Sequence, residues 1–335
     1  MHARPLIAHR ILGKTGLRIS PLAFGAGPIS TLMIGDDARR QCEVVAHTIE
    51  QGVNWFDTAA TYGGGQSERN LGRVLGELEA ADRVHVATKV RFSADDLADI
   101  RGAVRRSIEG SLGRLRLSRV TLLQLHNSVT PGRGDEPTSI TPDDVLKPGG
   151  VADAFEELRA EGLVSHLGLT GIGSPASLAQ VVRSGRFATI QVPYHLLNPS
   201  AGRAMPADFA ETNYGNIIAA CGEMGMGVLT IRALAGGALA DNAPSPHTFK
   251  TPFFPLDLYQ RDRERAARIR ERLGPRRNLP QEAIRFAVAH PQVHSAIVGF
   301  GETRHVDEAI AALDSQAPVL DWEDSFTREP AANRP

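Results

Sequence analysis

Asn54-Trp55-Phe56-Asp57-Thr58-Ala59-Ala60-Thr61-Tyr62-Gly63 carries an apolar run into a carboxylate and, five positions later, a phenol. Gly63-Gly64-Gly65 follow at once. Phe56 and its neighbours read as a short buried strand, with Asp57 at its C-terminal end and Tyr62 on the loop beyond. The glycines let the chain turn sharply into a helix that starts near Ser67. An acid and a phenol at the mouth of a strand serve proton transfer better than they serve packing.

Outward from this stretch the chain repeats one rhythm. Residues 9–20 read as a hairpin, two short strands about Gly13-Lys14-Thr15-Gly16. Strands are expected at 21–25, 53–57, 84–90, 120–125, 164–170, 187–192, 227–231 and 295–298. Helices are expected at 37–51, 67–78, 94–115, 151–161, 175–184, 213–224, 258–273, 280–290 and 303–313. Ser93 and Asp96 form a possible capping box for the third helix, and Ser174 with Pro175 opens the fifth. Residues 127–150 and 235–257 read as long loops, and 314–335 as a Pro-rich tail that wraps or frays. The strands are short and rich in Val, Ile and Leu, as strands buried on both faces are. Eight strand–helix units in this length predict an α/β fold, a (β/α)8 TIM barrel with an N-terminal β-hairpin; an open doubly wound sheet is the alternative. No Gly-x-Gly-x-x-Gly follows an early strand, which disfavours that alternative. No linker divides the chain, so residues 1–335 are expected to form one domain: hairpin 9–20, barrel 21–313 and tail 314–335.

The charges are balanced, 37 Lys and Arg against 38 Asp and Glu. Nothing in them points to nucleic acid. The first ten residues lack the apolar core of a signal peptide. No run of eighteen apolar residues is present, so no membrane span is expected. Cys42 and Cys221 fall on expected helices without CxxC spacing, which suits a reducing cytoplasm better than a disulfide.

In such a barrel the active site lies at the C-terminal ends of the strands. Strand 2 ends in Asp57 with Tyr62 just beyond, strand 3 carries Lys89, strand 4 runs into His126, strand 5 ends in Thr170 and strand 6 holds Gln191. A lone strand-end lysine is commonly a solvated charge, and a lone histidine commonly a structural one. Four such groups on three successive strand tips argue otherwise. A free tyrosine, with a pKa of roughly 10, is a poor acid–base catalyst at neutral pH. An adjacent ammonium favours the phenolate. Asp57 would hold Lys89 in place and charged, and His126 could donate to a substrate carbonyl oxygen. No cluster of metal ligands accompanies His126, so the hydride for such a carbonyl must come from an organic cofactor.

The motifs at 54–63, 87–90, 123–127, 168–171 and 191–199 resemble, in order, those of the aldo-keto reductase family. The likeness covers about 9–313. It implies a (β/α)8 barrel closed at its base by the hairpin, and a nicotinamide cofactor, usually NADPH, extended across the mouth. By resemblance Asp57, Tyr62, Lys89 and His126 are the four catalytic residues, with Tyr62 as general acid–base. Thr170 and Gln191 stand at the carboxamide positions, although Thr170-Gly171 replaces the family's Ser/Asn pair. Where family members stack a tyrosine on the nicotinamide, in a run like Tyr-Ser-Pro-Leu, this chain has Ile231-Arg232-Ala233-Leu234; the aromatic stack is either absent or supplied by another residue such as Tyr194. Gly236-Gly237 and Gly299-Phe300-Gly301 flank the barrel phosphate site, towards which the helix beginning near Thr303 points its free N–H groups. In 299–309, which includes Glu308, Arg304 and His305 could meet a 2′-phosphate, whereas Glu302 suits a free 2′-hydroxyl. NADP(H) is therefore the expected cofactor, with NAD(H) as the alternative.

The expected function is an NAD(P)-dependent oxidoreductase acting on an aldehyde, ketone or sugar. The competing reading is a redox-sensing or regulatory subunit of the same fold that binds nucleotide with little turnover. A barrel hydrolase using Asp57 and His126 lacks a metal site or nucleophile. The expected partner is a small carbonyl or alcohol substrate, met by loops 26–35, 128–150 and 241–257; substrate identity, reaction direction and oligomeric state stay open.

Overall fold

The computed structural model describes residues 7–275, 277–315 and 319. A two-stranded antiparallel hairpin, β1 (Arg10–Ile11) and β2 (Arg18–Ile19), precedes eight parallel strands closed into a barrel. These are β3 (Leu22–Gly25), β4 (Trp55–Asp57), β5 (His85–Val90), β6 (Val120–Leu125), β7 (Val164–Thr170), β8 (Thr189–Pro193), β9 (Gly227–Ile231) and β10 (Ser295–Val298). Each pairs with the next, and β10 pairs with both β9 and β3, so no edge is left open. The helices are α1 (Ala38–Glu50), α2 (Gln66–Glu77), α3 (Ile100–Leu115), α4 (Pro142–Leu146), α5 (Val151–Ala160), α6 (Pro175–Arg183), α7 (Ile217–Glu223), α8 (Leu256–Leu273), α9 (Leu279–Ala289) and α10 (Thr303–Asp314). The α/β class, the (β/α)8 TIM barrel and the hairpin expected from the sequence are all present. Most of the tail 314–335 lies outside the described residues.

Local chemistry explains several helix starts. Asp37 accepts from the backbone N–H of Arg40 to cap α1, and Asn278 caps α9 through Gln281. Four expectations need correction. The helix predicted at 94–115 is a 3-10 turn, Asp95–Ala98, followed by α3, whose cap is Asp99. Ser93 and Asp96 do bond reciprocally, but they close that turn. Ser174 sits at the N-cap of α6 without a side-chain capping bond. The helix predicted at 213–224 starts only at Ile217, because Gly215 and Asn216 both hold positive φ. Loop 127–150 contains a further helix, α4, opened by a capping box between Thr141 and Asp144.

The barrel interior is layered. At its base, Leu12 and Ile19 of the hairpin pack with Ala23, Trp55, Ala87, Leu122 and Leu229 from five strands, all fully buried. The hairpin turn is sewn to the start of β9 by Lys14 N–H donating to the Gly225 carbonyl, 2.7 Å. Gly13 lies so close beneath that a Cβ would stand 2.3 Å from the Gly227 nitrogen. Higher up, registers Gly25↔Asp57, Lys89↔Gln124 and Thr170↔Gln191 bring polar side chains into one layer.

The close approach at Gly13 gives a direct test. Gly13 has φ +47°, and an added Cβ would collide with backbone on β9 rather than with a yielding side chain. Gly13→Ala is expected to destabilise the protein by about 2 kcal/mol or more, combining left-handed strain with the clash. Urea denaturation of the two proteins side by side measures it. An unchanged midpoint would show that the hairpin is not held against β9.

Candidate active site

Asp57 ends β4 and Lys89 lies one residue before the end of β5; both are almost wholly buried and form an ion pair. Lys89 Nζ also donates to the Thr58 carbonyl at 2.8 Å and to the Tyr62 hydroxyl at 3.3 Å. The ammonium stands 4.9 Å from the Tyr62 ring centroid. The second oxygen of Asp57 accepts from the amides of Gln124, at 3.2 Å, and Gln191. Strands β4, β5, β6 and β8 thus converge on one carboxylate. Burial disfavours the Lys89 charge, but Asp57 and then Tyr62 outweigh it, so its pKa lies above the ordinary value.

Tyr62 is aimed by the glycine turn. Gly63, Gly64 and Gly65 have φ of 57°, 60° and 84°, a left-handed run that few side chains could follow before α2. The Tyr62 ring meets His126 edge-on, centroids 5.7 Å apart at 82°. Burial, then the charges of Lys89 and Arg91, hold the His126 pKa well below the usual imidazole range. Its ring is therefore neutral at pH 7. All four residues singled out in the sequence meet at one place, the floor of a cavity of ≈ 680 Å³ at the C-terminal ends of the strands.

Several polar atoms in this cavity wall are buried without a partner: Ser30 Oγ, Arg91 Nε, His126 Nδ1, Ser128 Oγ and Thr170 Oγ1. Buried polar groups are ordinarily satisfied, so such a cluster is what a polar ligand would complete. Gln191, Arg232, Leu234, Gly236, Gly299, Gly301 and His305 also line the cavity. A dinucleotide fits this wall: hydroxyls and an amide at one end, and glycine-rich turns after β9 and β10 at the other.

Arg304 and Glu308 do not line the cavity. Arg304 is 65% exposed and pairs with Glu302 at 2.7 Å and Glu308 at 3.8 Å, while Arg40 approaches the same Glu302 at 2.9 Å. The suggestion that Tyr194 supplies an aromatic at the mouth is overturned. Its ring is buried against Phe286 and His290, centroids 5.1 and 5.6 Å away. The aromatic near β9 is Phe254, whose ring centre lies 3.8 Å from the Arg232 guanidinium carbon. Of the three loops, 26–35 and 241–257 contribute strongly to the wall, whereas 128–150 contributes Ser128 alone. Two participants escaped the sequence reading. Gln124 was signalled by its place as the one polar residue between Leu123 and Leu125. Arg91 stands two positions beyond Lys89, at the rim rather than at a strand end.

Residues 21–324 match the sequence profile of the Aldo/keto reductase family. The chain is 25% identical over 316 residues to L-galactose dehydrogenase of Arabidopsis thaliana, an alignment covering 91% of this chain and 87% of that protein. It is 28% identical over 314 residues to D-threo-aldose 1-dehydrogenase of a Pseudomonas species, covering 85% and 86%. Its fold is similar to that of an aldo-keto reductase from Bacillus halodurans in its holo form, with a TM-score of 0.67, 23% identity, and coverage of 95% and 94%.

Buried neutral imidazoles make stability depend on pH. His195 is 5% exposed, and burial, then Arg232 and Arg265, bring its pKa down to about 3. A histidine whose folded pKa lies below its unfolded value is protonated more readily in the unfolded chain. Stability is therefore full above pH ~6.5 and falls as pH drops below it, by about 2 kcal/mol per such group at pH 5. His195→Leu should shrink the difference in urea stability between pH 7.5 and pH 5 by about that amount. An identical pH difference in both proteins would show that His195 is not buried neutral.

Proposed function

Because the chain belongs to the Aldo/keto reductase family, we propose that it is an NAD(P)-dependent oxidoreductase interconverting a carbonyl and an alcohol, with an aldehyde, ketone or sugar as substrate. The observation that carries this reading is the Lys89–Tyr62–His126 arrangement around the buried Asp57. Its oxidoreductase relatives, two of them named for sugars, support it. A bound nicotinamide dinucleotide supplies or takes up the hydride.

The residues then divide the work. Tyr62 is the general acid–base, giving its proton to the carbonyl oxygen in reduction and receiving it in oxidation. Lys89, held charged by Asp57, stabilises the phenolate left behind. His126, neutral, directs a ring N–H at the substrate oxygen and fixes its place beside the phenol. Asp57 touches the site through Lys89 and is held by Gln124 and Gln191. Thr170 and Gln191 would hold the carboxamide end of the dinucleotide. Arg232, Leu234 and Gly236 on one side, and Gly299, Gly301 and His305 on the other, would hold its phosphates. Arg304, which lies outside the cavity and would first have to leave Glu302, would meet the ribose 2′ position together with Glu308, with NADP(H) as the cofactor.

Tyr62→Phe is expected to lower kcat by about 10²–10⁴-fold, the usual contribution of a general acid–base group. Fluorescence titration of the same variant should give near-normal cofactor affinity. A kcat above half that of the unaltered protein would exclude Tyr62 as the acid.

Cofactor choice is tested at Glu302. If Arg304 receives a 2′-phosphate, it must leave Glu302. Arg304→Ala should weaken NADPH by about tenfold, as loss of a charge-assisted bond does, and leave NADH nearly untouched. Glu302→Gln should strengthen NADPH relative to NADH. Equal changes for the two cofactors, or an unaltered protein that prefers NADH, would remove Arg304 from this role.

A further inference from the structure

The cavity is far more cationic than the chain that surrounds it. The protein carries a formal charge of -1. Yet among the described residues Lys89, Arg91, Arg232 and Lys250 line the cavity, against Asp57 as the sole carboxylate there. Asp57 is committed to Lys89, which leaves the Arg91 and Arg232 guanidiniums and the exposed Lys250 ammonium without a carboxylate partner in the cavity wall, although the buried Asp262 attracts Arg232. Among the described residues no carboxylate forms an ion pair with Arg91 or Arg232, and none acts on Arg91. Arg73, Arg105, Arg114, Arg133 and Arg186, elsewhere on the barrel, each have a carboxylate partner.

The two guanidiniums have different places. Arg232 follows β9 and Arg91 follows β5. In the closed order β10-β3-β4-β5-β6-β7-β8-β9 these strands are four steps apart in either direction, so the residues lie across the mouth from one another. Arg232 belongs with the glycine turns after β9 and β10, the corner suited to phosphates. Arg91 lies instead between the strands that carry Tyr62 and His126. Its Nη2 donates to the His126 carbonyl at 3.3 Å, Phe253 covers one face of its guanidinium at 5.1 Å, and its Nε has no acceptor. It is a half-buried cation, stacked and anchored at one corner, with unused donors beside the reacting groups. Partial burial of such a group without an anion is unfavourable, and a planar guanidinium matches a planar carboxylate.

We propose that the carbonyl substrate carries a carboxylate and that Arg91 receives it. The proposal rests on the oxidoreductase reading above, of which it names the substrate class. Arg91 would then fix which end of the substrate lies under Tyr62, and Phe253 would cover the carboxylate from solvent.

The probes are 4-carboxybenzaldehyde and 4-methylbenzaldehyde, alike in size and differing in charge. The unaltered protein should show a kcat/KM ratio favouring the carboxylate by about tenfold or more, the scale of one charge-assisted hydrogen bond. Arg91→Met should bring that ratio to near one, chiefly through KM for the carboxylate, and Arg91→Lys should restore part of it. A ratio near one in the unaltered protein, or a ratio untouched by Arg91→Met in a variant with normal thermal stability, would overturn the proposal. A calorimetric titration with 4-carboxybenzyl alcohol separates this from failure of the function itself. If neither aldehyde is turned over, the protein does not take aryl aldehydes and the titration alone decides the anion site. Binding of the alcohol that Arg91→Met weakens tenfold would still support an anion site at Arg91, and absence of binding would overturn it.

Discussion

The buried Asp57–Lys89 pair is the constraint on which the rest of the mouth depends. Taking two charges out of water carries a penalty of several kcal/mol per ion, recovered only with good geometry and satisfied hydrogen bonds. Both conditions are met. Asp57 has three donors, and Lys89 has the Thr58 carbonyl and the Tyr62 hydroxyl as further acceptors. Removing either partner would strand the other, with its amides, in a region closed to water. The pair therefore fixes four strand ends relative to each other, and Tyr62 is placed by reference to it.

This arrangement divides the barrel along its axis. The base is filled by Trp55, Leu122, Leu229 and the hairpin's Leu12 and Ile19, where close packing supplies stability. The polar layer above contributes specificity of register instead. A one-residue slip of β4 would turn Asp57 away from Lys89, Gln124 and Gln191 together. Gln191 is instructive here. One N–H of its amide is given to Asp57, which fixes the side chain and leaves its other N–H and its oxygen for a bound amide, while Thr170, whose hydroxyl has no partner, is the freer of the two.

The barrel was legible in the sequence because each strand is a short, mostly apolar run, most of them running into a polar residue at the C-terminal end, and because strand order in a closed barrel follows chain order. Asp57, Tyr62, Lys89 and His126 were legible for the same reason: strand tips of such a barrel share one mouth. What was not legible depended on backbone conformation or on side-chain reach. The late start of α7 follows from left-handed Gly215 and Asn216, and nothing in the spacing marks Asn216 as left-handed. The split before α3 arises because Asp99 competes successfully with Ser93 as the cap. Tyr194 follows β8 yet turns outward to stack on Phe286, which sequence adjacency to a strand end could not reveal. Arg304 likewise has the right sequence position beside the expected phosphate corner, but its guanidinium is held by acids on its own helix turn.

Burial also explains why the mouth can hold so much cationic character without losing its neutral imidazole. His126 is desolvated first and repelled by Lys89 and Arg91 second, so both effects favour the neutral form. Lys89 feels the same desolvation but has Asp57 beside it, and its charge survives. Two adjacent bases in one cavity thus take opposite protonation states because one has a carboxylate and the other does not. That separation leaves a charged ammonium bonded to the Tyr62 hydroxyl and an uncharged imidazole against the edge of the Tyr62 ring.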